Sequence, residues 1–131
     1  MKRSSAIRTL VAVVLVCSVG ACRRNVPPYP EETMSLAKST ILEREVVIDA
    51  SIGQTEDQLT LVLIVIPSTS EAAGKSVGED FVRLVKSLGP EDPPGPQIGA
   101  GIYDYLVGVY FPDQTELAMG AKVYSSSNIT W

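Results

Sequence analysis

Histidine is absent from all 131 residues. Its absence removes the commonest general base and the commonest metal ligand together. Cysteine occurs only as Cys17 and Cys22, so residues 23–131 can form no disulfide among themselves. That stretch must be held by an apolar core, even in an oxidising compartment. The apolar run near the start, Leu10 to Cys17, falls short of the about 20 residues that a bilayer-spanning helix needs. Basic residues number 11 against 15 acidic ones and form no stripe, which excludes nucleic-acid binding.

What is present is concentrated at the N-terminus. Lys2, Arg3 and Arg8 supply positive charge, Leu10 to Cys17 is almost wholly aliphatic, and Gly20 and Ala21 are small residues before Cys22. A basic start, an apolar centre and a small-residue exit are the three parts of a secretory signal. Val19-Gly20-Ala21-Cys22 resembles the lipobox of bacterial lipoproteins. The resemblance covers the first 22 residues. It implies that the Cys22 thiol receives a diacylglycerol group, that cleavage makes Cys22 the new N-terminus, and that its amine is acylated in turn. Two or three acyl chains hold a protein durably at about 0.8 kcal/mol per buried methylene. In Gram-negative members an Asp after the lipidated Cys retains the protein in the inner membrane. Arg23 stands there instead, so the resemblance implies an outer-membrane protein facing the periplasm in such a host. Arg23 and Arg24 are expected either beside anionic headgroups, at about 1 kcal/mol each, or simply in solvent.

Residues 1–21 thus read as the signal, 22–30 as the acylated Cys with a proline-rich tether, and 31–131 as one small domain. Residues 22–131 carry 8 basic and 15 acidic side chains, a formal charge of −7. A chain of this length buries roughly 65% of its unfolded surface. Asn25 to Pro30 contains three prolines, and an extended tether of 23–30 would lift the domain roughly 25 Å off the lipid.

Hydropathy periods give the elements. Glu31 to Thr40 reads as a helix with Met34, Ala37 and Ile41 on one side and acidic residues at its positive end. Val46 to Ile52 alternates, Gly53 to Asp57 is a polar turn, and Leu59 to Ile66 is apolar and β-branched, so the pair predicts a hairpin. Ser68-Thr69-Ser70-Glu71 fits a capping box. Val77, Phe81, Leu84, Val85 and Leu88 then form an amphipathic helical stripe that Gly89-Pro90 ends. Residues 89–101 are a loop rich in glycine and proline. Ile102 to Phe111 and Leu117 to Tyr124 read as a second hairpin around Pro112-Asp113-Gln114, and Trp131 is expected to pack back on the domain.

The order α-β-β-α-β-β predicts an α+β fold: a four-stranded, mainly antiparallel sheet with the helices on one face. The expected core-facing residues are Ile48, Ile52, Leu59, Leu61, Leu63, Val65, Tyr103, Tyr105, Val107, Val109, Leu117, Met119 and Val123. The opposite face would carry Asp49, Thr60, Val62, Ile64, Asp104, Leu106, Tyr110, Ala118, Lys122 and Tyr124. Two small helices cover one face only. Val62, Ile64, Leu106 and Tyr110 are therefore the candidate partner-binding residues, because a partly apolar exposed sheet is an interaction surface.

Motifs for chemistry are incomplete. Gly74-Lys75-Ser76 has the end of a phosphate-binding loop, but Thr69 stands where another glycine is required. Ser35-Leu36-Ala37-Lys38 matches one element of penicillin-binding enzymes, whose other two elements are missing. The acidic pairs Glu31-Glu32, Glu56-Asp57, Glu79-Asp80 and Glu91-Asp92 read as solvated charge. Asp104 reads as an outward strand residue paired with Lys122. Gly99-Ala100-Gly101 precedes a strand, whereas a dinucleotide fingerprint precedes a helix. The sequence therefore implies no catalytic residue, no cofactor and no metal site. It favours a lipid-anchored, non-catalytic binding or accessory module whose partner is a protein, an envelope component or a second copy. A small envelope hydrolase using carboxylates is the alternative.

Overall fold

The chain runs α-β-β-α-β-β in the computed structural model, which describes residues 24–91 and 97–131. The expected signal, Cys22, Arg23 and the prolines at 93, 94 and 96 lie outside the described residues. Helix α1 (Glu31–Ile41) has Glu31 and Glu32 in its first turn and buries Ala37 and Ile41. Strand β1 (Val47–Thr55) turns at Glu56-Asp57 into β2 (Gln58–Val65). Helix α2 (Glu71–Leu88) buries Val77, Phe81, Val82 and Val85; of the expected stripe Leu84 is only half-buried and Leu88 lies exposed, while Val82 joins the buried side. Its cap is Ser70, whose hydroxyl accepts from the Ala73 amide, so the box opens two residues later than Ser68. Strands β3 (Asp104–Tyr110) and β4 (Glu116–Lys122) complete the sheet.

The sheet order is β1-β2-β3-β4. Both hairpins are antiparallel and the central β2–β3 pair is parallel. The parallel pair follows from α2, which carries the chain back to the end where β2 began. The sheet is thus mainly antiparallel with both helices on one face, as the alternation predicts. Leu59, Leu61, Leu63 and Val65 of β2 and Tyr105, Val107 and Val109 of β3 point under the helices.

The two edge strands depart from the expected facing. Ile48, Met119 and Val123 were expected inside and lie exposed, while Ala118 and Lys122 were expected outside and are buried. In β1 the register shifts between Val47 and Asp49, so Val47 and Ala50 both point inward and Ile48 is left outside. In β4 the pairs Val109–Ala118, Val107–Gly120 and Tyr105–Lys122 set the phase, after a shift at Tyr110. A one-residue slip exchanges the two faces of a strand, and each irregularity supplies one.

The C-terminal tail packs back as expected. Thr130 and Ala121 exchange backbone hydrogen bonds along the outer edge of β4. The half-buried Trp131 fills the space between Gly78 of α2 and Gly120 of β4, where a β-carbon at either would strike its ring.

Phe81 is fully buried at the centre of the helix–sheet contact. Phe81→Ala should lower the unfolding free energy by about 3–5 kcal/mol in urea denaturation. A loss below about 1 kcal/mol would mean that α2 does not seal the core.

Candidate functional site

The face of the sheet away from the helices is built by β2 and β3. Pairing places Thr60 beside Leu106, Val62 beside Gly108 and Ile64 beside Tyr110, with Met119 next to Gly108 on β4. Val62, Ile64, Leu106 and Tyr110 therefore share one surface, as the alternation predicts. All four are half-buried, and Met119 is exposed. Tyr110 lies across Gly108, where a β-carbon would stand 2.6 Å from its ring. Both helices contact the sheet from the other side, and residues 128–131 follow the β4 edge. Among the described elements none packs on this face. Asp49 and Glu116 stand exposed at its upper end, opposite Ile64 and Tyr110 in the register.

A second arrangement, absent from the sequence reading, closes the lower end of the core. Glu91 is buried, although its pair with Asp92 reads as solvated charge. Its carboxylate accepts from the Ile102 amide and from the Tyr105 hydroxyl, the latter at 2.7 Å. Gly101 leaves the room, since a β-carbon there would lie on the carboxylate. Lys122 is buried in the same region, with its ammonium donating to the Val123 carbonyl at 3.3 Å and lying 5.7 Å from the Tyr105 ring centroid. Lys86 is buried as well. The expected Asp104–Lys122 pair is therefore not made. Asp104 is held by Arg24, 3.4 Å away, and accepts from the Tyr124 amide. Lys122 shares its phase with the buried Ala118 and Gly120, which turns its side chain inward.

The N-terminal segment belongs to this end. Residues 24–30 lie on the domain and do not stand apart from it as a free tether. Tyr29 is buried, donates its hydroxyl to the Val85 carbonyl and meets the Tyr103 ring edge-on at 6.1 Å. The Tyr103 hydroxyl donates to the Pro27 carbonyl at 2.6 Å. Gly89 does not end α2 in a left-handed conformation, since its φ is −93°. Its missing side chain makes space for the Tyr29 ring.

These groups are sealed from solvent, and that sets their chemistry. Burial raises the Tyr103 hydroxyl to about 12, with the Glu91 charge adding to the effect. Burial raises Tyr29 and Tyr105 further, with Glu91 again contributing. Burial lowers the Lys122 ammonium, and Lys86 lowers it more, while Glu91 and Asp104 oppose both. The cluster ties α2, the 97–103 segment, β4 and residues 27–29 together.

The remaining motifs are taken up locally. Lys75 pairs with Glu71 at 3.0 Å, and Gly74 sits where a β-carbon would strike Leu117. Lys38 of the Ser35-x-x-Lys38 match lies 3.8 Å from Asp49. Asp57 is held by Arg24 and Asp80 by Arg44, so neither acidic pair offers two unengaged carboxylates. Among the described residues no group of three or more acidic, His or Cys side chains could hold a metal. A polar recess of about 230 Å³ lies between Glu79 and Arg83 of α2, Gln97 and the 127–129 tail. It falls below the about 300–1,000 Å³ of small-molecule sites and lacks their apolar lining.

The three buried tyrosines set a pH dependence. Unfolded tyrosine ionises near 10, and the folded side chains hold their protons higher. Their contribution is complete below pH 10 and is lost as pH rises from there through the folded values. Lys122 acts in the opposite sense, because its depressed value lets stability rise with pH toward 10.5. The urea midpoint should therefore fall above about pH 10, at up to about 1.4 kcal/mol per pH unit for each tyrosine. Tyr103→Phe should make the fall shallower, and an unchanged slope would count against burial of this hydroxyl. The chain matches no family model, no curated protein and no solved structure.

Proposed function

We propose that this chain is a lipid-anchored lipoprotein of the bacterial cell envelope whose domain is a non-catalytic binding module. Its partner is a protein that docks on the open sheet face. The observation that carries the reading is the apolar set Val62, Ile64, Leu106, Tyr110 and Met119 on the side away from both helices. An apolar sheet surface of this kind is a standard place for another chain to bind. Glu116 at its end, and the 15 acidic residues against 8 basic in residues 22–131, favour a partner with a basic rim. Opposite charge speeds encounter, and like charge between two copies opposes it. The anchor is supported by the sequence from Lys2 to Cys22. Among the described residues no helix is long and apolar enough to cross a membrane.

Anchoring and docking are tested separately. Cys22→Ala should release the protein from membranes into the soluble fraction. Continued sedimentation after a salt wash would contradict lipidation at that residue. For docking, a photo-crosslinking residue at Val62 should give a discrete adduct in intact cells, and the same residue at Glu32 on α1 should not. Ile64→Asp should abolish the adduct while lowering stability by only about 1 kcal/mol, the span of strand propensities. An adduct that survives Ile64→Asp, or that forms equally from Glu32, would place the interface elsewhere. An adduct of twice the protein's own mass would identify the partner as a second copy.

A further inference from the structure

We infer that the lower end of the domain, carrying Arg24, Val123 and Tyr124, lies against the lipid bilayer, so that the strands stand on the membrane and the open sheet face is turned sideways. This rests on the reading of Cys22 as the lipidated residue.

Arg24 fixes where the chain leaves the domain. Its amide donates to Asp57 at 3.2 Å. Its guanidinium donates to the Ile102 carbonyl at 2.9 Å, lies 3.5 Å from Asp57 and 3.4 Å from Asp104, and stacks 3.6 Å from the Tyr124 ring centroid. These partners come from the β1–β2 turn, the entry to β3 and the exit from β4. Arg24 is thus engaged by the domain, not held for headgroups. Two residues span at most about 7 Å, so the acylated Cys22 cannot lie farther than that from this clamp. By contrast, the strands carry the opposite end roughly 20 Å away.

A second observation points to the same end. Val123 is 54% exposed and Tyr124 37%, although both backbones are held. The Tyr124 amide donates to Asp104, and its carbonyl accepts from Gly101. The Val123 carbonyl accepts from Lys122 and from the Ser126 amide. The two side chains are therefore presented outward beside the anchor. An apolar side chain and a tyrosine are the types that settle at the headgroup level. Asp57 and Asp104 would repel a lipid surface if bare; Arg24 engages both and offsets one of their two charges. With one guanidinium against two carboxylates, this end favours zwitterionic over anionic headgroups.

The test uses the full chain, produced in a bacterial host that processes lipoproteins, in phosphatidylcholine vesicles. An environment-sensitive fluorophore is placed on Val123→Cys in one sample and on Ser68→Cys, at the far end, in another. Lipid-borne quencher should reduce emission several-fold more at position 123 than at 68. Arg24→Ala should narrow that difference while leaving the circular dichroism spectrum unchanged. Vesicle-bound protein with equal quenching at the two positions would overturn the orientation and leave the anchor standing. Protein that fails to float with vesicles would remove the anchor reading and the orientation with it.

Discussion

Helix α2 can lie close to the sheet because Gly74 and Gly78 on the helix and Gly120 on β4 carry no side chain at the contact. A glycine inside a helix costs about 1 kcal/mol relative to alanine. Here that cost accompanies the burial of Val77, Phe81, Val82 and Val85, each worth roughly 1.5–3 kcal/mol relative to exposure. The space left between Gly78 and Gly120 takes the ring of Trp131. The same close packing makes α2 the crossover that sets β3 parallel to β2. Parallel pairing then brings the starts of β2 and β3 and the finish of β4 to one end of the sheet. Both the buried polar cluster and the Arg24 clamp depend on that convergence.

The lower end shows how a small domain without disulfides closes itself. A buried carboxylate is costly unless its oxygens are hydrogen-bonded, and Glu91 has an amide and a hydroxyl as donors. Lys122 is less fully served, with one carbonyl and the face of Tyr105, and burial lowers its pKa. Buried charged groups of this kind are weak evidence for stability when compared with well-packed apolar replacements. Their effect here is positional. Glu91 draws the 101–102 segment toward Tyr105, and the resulting floor receives Tyr29 and the Pro27 carbonyl. The N-terminal segment is thereby part of the fold and not a spacer attached to it.

The order of elements, the α2 stripe and the facing of β2 and β3 were legible because each rests on a local period. Leu59, Leu61, Leu63 and Val65 alternate with Thr60, Val62 and Ile64, and no irregularity interrupts them. The edge strands were misread where a single shift at Val47–Asp49 or at Tyr110 reverses the alternation, and no local residue pattern marks either. The four candidate residues on the open face were legible, since they belong to the two regular strands. The buried cluster was not. Glu91 sits in a glycine- and proline-rich stretch, and only contacts 11 and 14 residues away, with Ile102 and Tyr105, remove it from solvent. Arg24 likewise reads as a surface charge in the sequence, because its partners lie 33, 78 and 80 positions along the chain.

Strand β2 carries the strongest argument about the open face. A strand with one side in water alternates apolar with polar residues, whereas a strand covered on both sides reads as a nearly continuous apolar run. From Leu59 to Ile66 only Thr60 breaks the run. Its neighbour β3 adds Leu106 and Tyr110 on the same outer side, and Tyr110 spreads over Gly108 to widen the apolar area. The edge strand β1 behaves otherwise, placing Ser51 and Gly53 beside Val62 and Thr60. The apolar outer surface is therefore centred on β2 and β3, reaches β4 at Met119, and meets small positions along the middle of β1. These two central strands have the composition of strands covered twice, and the described part of the chain covers them once.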